Sequence, residues 1–60
     1  EKQLTLAHYN FGVYFRKMGQ MQKARFHLMK AKELSGQDPA LRRKIVEELK
    51  GVEEGNRGGA

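Results

Sequence analysis

LTLAHYNFGVYFRKMGQMQKARFHLMKAKEL, running from Leu4 to Leu34, decides the fold of this 60-residue chain. Its apolar residues recur as Leu4, Ala7, Phe11, Tyr14, Phe15 and Met18, the spacing of an amphipathic helix. Gly19 follows at once. A left-handed residue there ends a helix and lets the chain reverse, so a tight turn is expected at Gly19-Gln20. Met21, Ala24, Leu28 and Ala31 repeat the spacing, with Leu34 near the end and Gly36 as the expected C-terminal cap, which predicts a second helix over 21–35. Asp38-Pro39 starts a third: the Asp side chain accepts free N–H groups of the first turn, and proline suits a first position whose N–H has no partner. Leu41, Ile45, Val46, Leu49 and Val52 give that helix one apolar stripe. Gly51 weakens it by about 1 kcal/mol relative to alanine, so its last turn is expected to fray over 51–54. Beyond it, 55–60 hold no apolar side chain larger than a methyl and read as a flexible tail.

A chain this short buries only about 60% of its unfolded surface and makes at most one small domain, which excludes a large enzyme. Charged residues are 32% of it and mean hydropathy is −0.79. No apolar run approaches the roughly 18 residues that cross a bilayer, so direct membrane insertion is not expected. Zero cysteines remove disulfides, thiol catalysis and thiolate metal sites, and a Cys-free chain is at home in either redox compartment. The first residue is Glu1 and no basic-then-apolar leader follows, so the chain is expected to be an excerpt of something larger. The net charge of +5 is carried by the front. Lys2, Arg16, Lys17, Lys23, Arg25, Lys30 and Lys32 face only Glu1 and Glu33 there, whereas Arg42, Arg43, Lys44 and Lys50 are matched by Glu47, Glu48, Glu53 and Glu54. The front attracts acidic partners, yet it has neither the dense Lys/Arg cluster nor the aromatic motif of a nucleic-acid module, so nucleic acid is not the expected partner.

Two such helices joined by a glycine turn are to be tested for a helical repeat. The segment from Thr5 to Asp38 resembles the tetratricopeptide (TPR) unit of about 34 residues, whose skeleton is W-x2-L-G-x2-Y, then A-x3-F, then a late Pro. His8 falls on the Trp, Phe11 on the Leu, Gly12 on the Gly and Phe15 on the Tyr. Gly19 is the turn glycine, Ala24 the small residue, Leu28 the large apolar one and Ala31 the second small one. The spacing has a physical cause: Gly12 and Ala24 let two antiparallel backbones approach, while Phe11, Phe15 and Leu28 fill the groove beside them. The sequence departs from the pattern at His8, which replaces a large aromatic, and at Gly36, which sits in the late-proline slot three residues before Pro39.

The resemblance implies an all-α unit, a fragment of a right-handed α-solenoid. An antiparallel TPR-like hairpin over 3–38 is followed by a capping, solvating helix over 39–54 and a tail over 55–60. The charged face of the third helix would stop an array there, placing the chain at a C-terminal end. One repeat leaves an apolar face uncovered, to be closed by upstream repeats, another domain or a second copy of the chain, a homo-oligomer.

Family resemblance also places partner contacts on the first helix, whose second face carries Leu6, Tyr9, Asn10, Val13, Arg16 and Lys17. Asn10 would reach a peptide backbone through its amide, and Arg16 and Lys17 would pair with a partner carboxylate. Alternatively Leu6, Tyr9 and Val13 pack against a neighbouring repeat and the basic pair is solvated. Phe26 and Met29 lie outside the stripe of the second helix and make a small outward apolar patch.

The expected function is therefore a protein–protein interaction or assembly module, not an enzyme. His8 and His27 are the only histidines, with no Asp, Glu or Cys at ligand spacing, so they read as a packing and a surface residue and no metal is expected. Ser35, the only serine, has no activating base. No glycine-rich phosphate loop joins a strand to a helix, so no cofactor is implied. The same stretch is also similar to the TPR tails of bacterial membrane-associated zinc metallopeptidases; in that alternative the chain would be an appendage whose enzyme lies upstream.

Overall fold

The computed structural model describes the backbone of residues 2–58 and the side chains of 3–55. Three helices follow one another: α1 Lys2–Lys17, α2 Met21–Leu34 and α3 Pro39–Gly58. Each connection is short, so each helix reverses against the one before it. α2 is the central element, packed on α1 and on α3, while α1 and α3 meet only slightly. The protein is all-α, a helical hairpin with a third helix laid on it.

The first reversal is built on Gly19, at φ +82° the single left-handed residue among those described. Its N–H donates to the Arg16 carbonyl at 3.0 Å and the Gln20 N–H to the Phe15 carbonyl at 2.9 Å. This pair of bonds is the Schellman closure, which satisfies carbonyls that the end of α1 would otherwise leave open. The second reversal differs from expectation. Gly36 is not left-handed; α2 ends instead at Ser35, whose N–H donates to the Ala31 and Lys32 carbonyls and whose hydroxyl donates to the Lys32 carbonyl at 3.0 Å. Ser35 is buried, and its hydroxyl supplies locally the bond that a glycine cap would have left to the backbone.

α3 opens as the sequence implies. The Asp38 carboxylate accepts the Leu41 N–H at 3.2 Å and its carbonyl accepts the Arg42 N–H at 2.9 Å, with Pro39 in the first helical position. Asp38→Ala is expected to lower stability by about 1 kcal/mol, read as a shift of the urea midpoint with unchanged slope. An unmoved midpoint would mean that water replaces the cap without loss.

The far end of α3 departs from expectation: the helix passes the anticipated fray at 51–54 and continues to Gly58. Part of the expected tail, 55–58, is thus helical, and the rest of it lies outside the described residues. Packing overrides the weak intrinsic preference of glycine. A side chain at Gly51 would run into the Arg16 guanidinium, and one at Gly55 would lie 3.2 Å from Met21 Cε, so both glycines are points of close approach.

Ala24, Leu28 and Ala31 of α2 and Ile45 of α3 are fully buried, with Val52 beside them; Tyr9, Phe15, Met21, Leu41 and Leu49 pack around that cluster. The α2 and α3 stripes therefore do what their periodicity implies, except that Leu34 and Val46 are exposed. The stripe of α1 does not. Leu4, Phe11, Tyr14 and Met18 are exposed, whereas the buried positions of α1 are Thr5 and Gly12. The contact line and the apolar stripe are neighbouring columns on the helix, one residue or about 100° apart. Small size selects the contact line. A Cβ at Gly12 would lie 2.5 Å from Leu28 Cγ and 3.3 Å from the Ala24 carbonyl oxygen, so the Leu28 side chain and the α2 backbone pack directly on the α1 backbone at this glycine.

Candidate interaction surface

Turning α1 onto its small residues leaves a column of large ones facing outward. Leu4, Ala7, Phe11, Tyr14 and Met18 alternate at three and four residues, the spacing of a helix–helix seam. Phe11, Tyr14 and Met18 are each more than half exposed. The column continues onto α2 through His27, whose ring lies 5.4 Å from that of Phe11 and 5.2 Å from that of Phe26, the latter 58% exposed. Met29, one turn beyond Phe26, is exposed as well and lines with it a shallow groove of about 520 Å³ together with Arg25 and Lys30.

His27 is the hub of this seam. Phe15 lies nearly parallel to it at 5.4 Å and 14°, Tyr14 meets the Phe15 ring edge-on, and His8 of α1 meets it edge to edge, with Nδ1 to Nδ1 at 3.1 Å. At that spacing one Nδ1 donates a hydrogen and the other accepts it. Burial, and secondarily the neighbouring His8, lower the proton affinity of His27 below the ordinary imidazole value. The ammonium of Lys23 stands over the Phe15 ring at 5.6 Å from its centre, a cation–π contact on the rim.

The residues expected to bind a partner are dispersed. Leu6 and Asn10 are exposed, Tyr9 turns inward against the core, and Lys17 is exposed. Val13, Arg16 and Lys17 do come together, but in a groove of about 310 Å³ that α3 closes with Glu48. Arg16 is engaged there by Glu48 at 2.6 Å. With the two side chains 39% and 25% exposed, that pair stabilises by at most about 1 kcal/mol.

The repeat-like positions fall close to one another around the hairpin. Gly12, Ala24, Leu28 and Ala31 are buried at its contact line, Phe15 packs on the core, Gly19 makes the turn, and His8 and Phe11 flank the seam. Phe11 is 52% exposed and does not fill the groove it was expected to fill.

Two features escaped the sequence reading. The His8–His27 pair joins residues 19 apart, and the signal for it was available: the two histidines lie on opposite sides of the Gly19 turn, on strips that the hairpin folds together. Arg16–Glu48 spans 32 residues and had no local signal. Among the described residues no group of three His, Cys, Asp or Glu side chains is assembled that could hold a metal ion, and no helix is long and apolar enough to cross a membrane. No protein-family model, no curated protein and no solved structure matches the chain.

Proposed function

We propose that the chain is a protein–protein interaction module that docks a helical segment of a partner, such as a neighbouring repeat, on the open face of its hairpin, without catalysis of its own. The observation that carries this reading is the exposed seam-spaced column Leu4, Phe11, Tyr14 and Met18, extended by Phe26. Singly exposed apolar residues are ordinary, but a contiguous column joined through aromatic contacts to a second helix is what an interaction site presents. Each of these side chains is about half exposed, so covering it adds about half of the roughly 1.5 to 3 kcal/mol of a complete transfer, and the column must be covered as a whole to offset the cost of association.

Charge selects the partner. α1 carries no acidic residue and α2 only Glu33, which approaches Lys30 at 4.0 Å, so the hairpin side of the molecule is positive and favours a helix flanked by carboxylates. A second copy of the chain would bring two basic faces together. The TPR-like spacing of the hairpin supports the same use, since such a unit leaves a face for a neighbour to cover.

The test uses the whole chain and a designed amphipathic helix with a leucine seam and glutamate flanks, followed by fluorescence anisotropy. Binding that weakens with salt is expected, with at least about a tenfold loss on Phe11→Asp, equivalent to about 1.4 kcal/mol, at unchanged helicity. Absence of binding, or equal binding by the variant, would sink the reading.

A further inference from the structure

His8 and His27 stand where α1 and α2 meet, and their contact obeys a strict proton count. Two imidazole nitrogens at 3.1 Å hold together when one carries a hydrogen and the other offers a lone pair. Both rings neutral meet that condition. So does the pair with one added proton, which then makes a charge-assisted bond. With two added protons both nitrogens are donors, and two like charges face each other.

No carboxylate among the described residues is placed to relieve a second charge. Three phenyl rings, of Phe11, Phe15 and Phe26, press on His27 at 5.2 to 5.4 Å. The charged groups that α2 brings to this face are cations: Lys23 over the Phe15 ring, and Lys30 one turn beyond His27. Its one carboxylate, Glu33, lies toward Lys30. α1 offers no acidic residue, only the phenol of Tyr14 beside Phe15. From α3, Glu48 is committed to Arg16. The same cationic setting, with only two donors, disfavours a metal ion here.

We infer that His8 and His27 form a one-proton latch: the hairpin and the aromatic face built on it hold while the pair carries at most one added proton and come apart when it takes two. In the unfolded chain both imidazoles bind protons freely below about pH 6.5. The folded pair binds fewer. Stability therefore falls as pH descends through that value, the folding equilibrium constant dropping by up to about tenfold per pH unit for each proton excluded. The lowered proton affinity of His27 has the same sign. This inference goes beyond the docking reading and does not need it. Where both hold, the face is offered at neutral pH and withdrawn in an acidic compartment.

The test is an NMR titration of the two imidazole Cε1–H signals in the whole chain between about pH 8 and about pH 5, a range above ordinary carboxylate titration. Thermal unfolding by circular dichroism at the two ends of that range accompanies it. One imidazole is expected to titrate below the usual histidine range and the melting temperature to fall on acidification. His8→Gln keeps a hydrogen-bonding group but removes the second proton site, so it is expected to raise the His27 titration and flatten the acid loss. Two histidines titrating independently at the ordinary value, in a chain that circular dichroism shows to be helical, would overturn the latch. So would an acid loss that persists undiminished in His8→Gln/His27→Gln. Because no partner is present, neither result bears on the docking reading.

Discussion

Leu28→Ala is expected to unfold most of the chain in plain buffer at room temperature. Leu28 is fully buried where all three helices contribute, against Gly12 of α1 and within the cluster of Ala24, Ala31, Ile45 and Val52. Truncation removes the transfer free energy of the deleted carbons and leaves a cavity that alanines on the same helix cannot collapse to fill. Buried Leu→Ala changes cost about 2 to 5 kcal/mol, with the larger values where the site cannot relax. A single core in a chain below about 70 residues rarely supplies more than about 3 to 5 kcal/mol in total. The loss is of the same size as the whole margin. The neighbouring Met29→Ala is the control, because that side chain is exposed and lies outside the core. The measurement is helicity by circular dichroism with a urea series. Wild-type-like unfolding of Leu28→Ala would show that the helices are held elsewhere than at this contact.

Gly12→Ala is the second large effect, and its sign is decided by two opposing magnitudes. In an open helix, alanine for glycine is a gain of about 1 kcal/mol. Here the added methyl would sit 2.5 and 2.7 Å from Leu28 Cγ and Cδ2 and 3.3 Å from a backbone oxygen. Leu28 has no exposed direction in which to swing, and the Ala24 carbonyl belongs to α2 itself. The helices must therefore separate, which overpacked cores show to cost about 1 to 3 kcal/mol or more, and the contact here is severe enough to outweigh the propensity gain. A net loss of about 2 kcal/mol is expected, read as a lowered urea midpoint. The double variant Gly12→Ala/Leu28→Ala separates the causes. If the two residues contend for one space, the pair of changes is less destabilising than their sum, because the new methyl enters the cavity left by the leucine. Strict additivity would place the damage of Gly12→Ala outside this contact.

These two residues also show how far the sequence could be read. Gly19 as the reversal, Asp38-Pro39 as a start, and the stripes of α2 and α3 are all visible locally, because caps and periodicity are properties of neighbouring residues. The orientation of α1 is not. Apolar periodicity marks Leu4, Phe11, Tyr14 and Met18, but the contact with α2 is set by the absence of bulk at Thr5 and Gly12, and a search for large apolar residues passes over small ones. The importance of Gly12 for close approach could be anticipated; the resulting exposure of the stripe could not. Gly51 reads as a weak point in a helix until Arg16 arrives from another part of the chain to occupy the space above it. For the same reason Arg16 and Tyr9, legible as members of an outward face, are drawn inward by α3 and the core. Histidines without carboxylates at ligand spacing look inert one at a time, and only the antiparallel pairing makes them a coupled site.

The two short connections, Met18 to Gln20 and Ser35 to Asp38, have a kinetic consequence. Every helix packs on its immediate predecessor, so the entropy of loop closure is small at each step and long-range search is nearly absent. Chains whose contacts are this local reach their native arrangement in microseconds to milliseconds. Closure at Gly19 sets α1 against α2 and creates the surface that α3 needs. Assembly of this molecule can therefore proceed in chain order, each helix finding its place as it emerges.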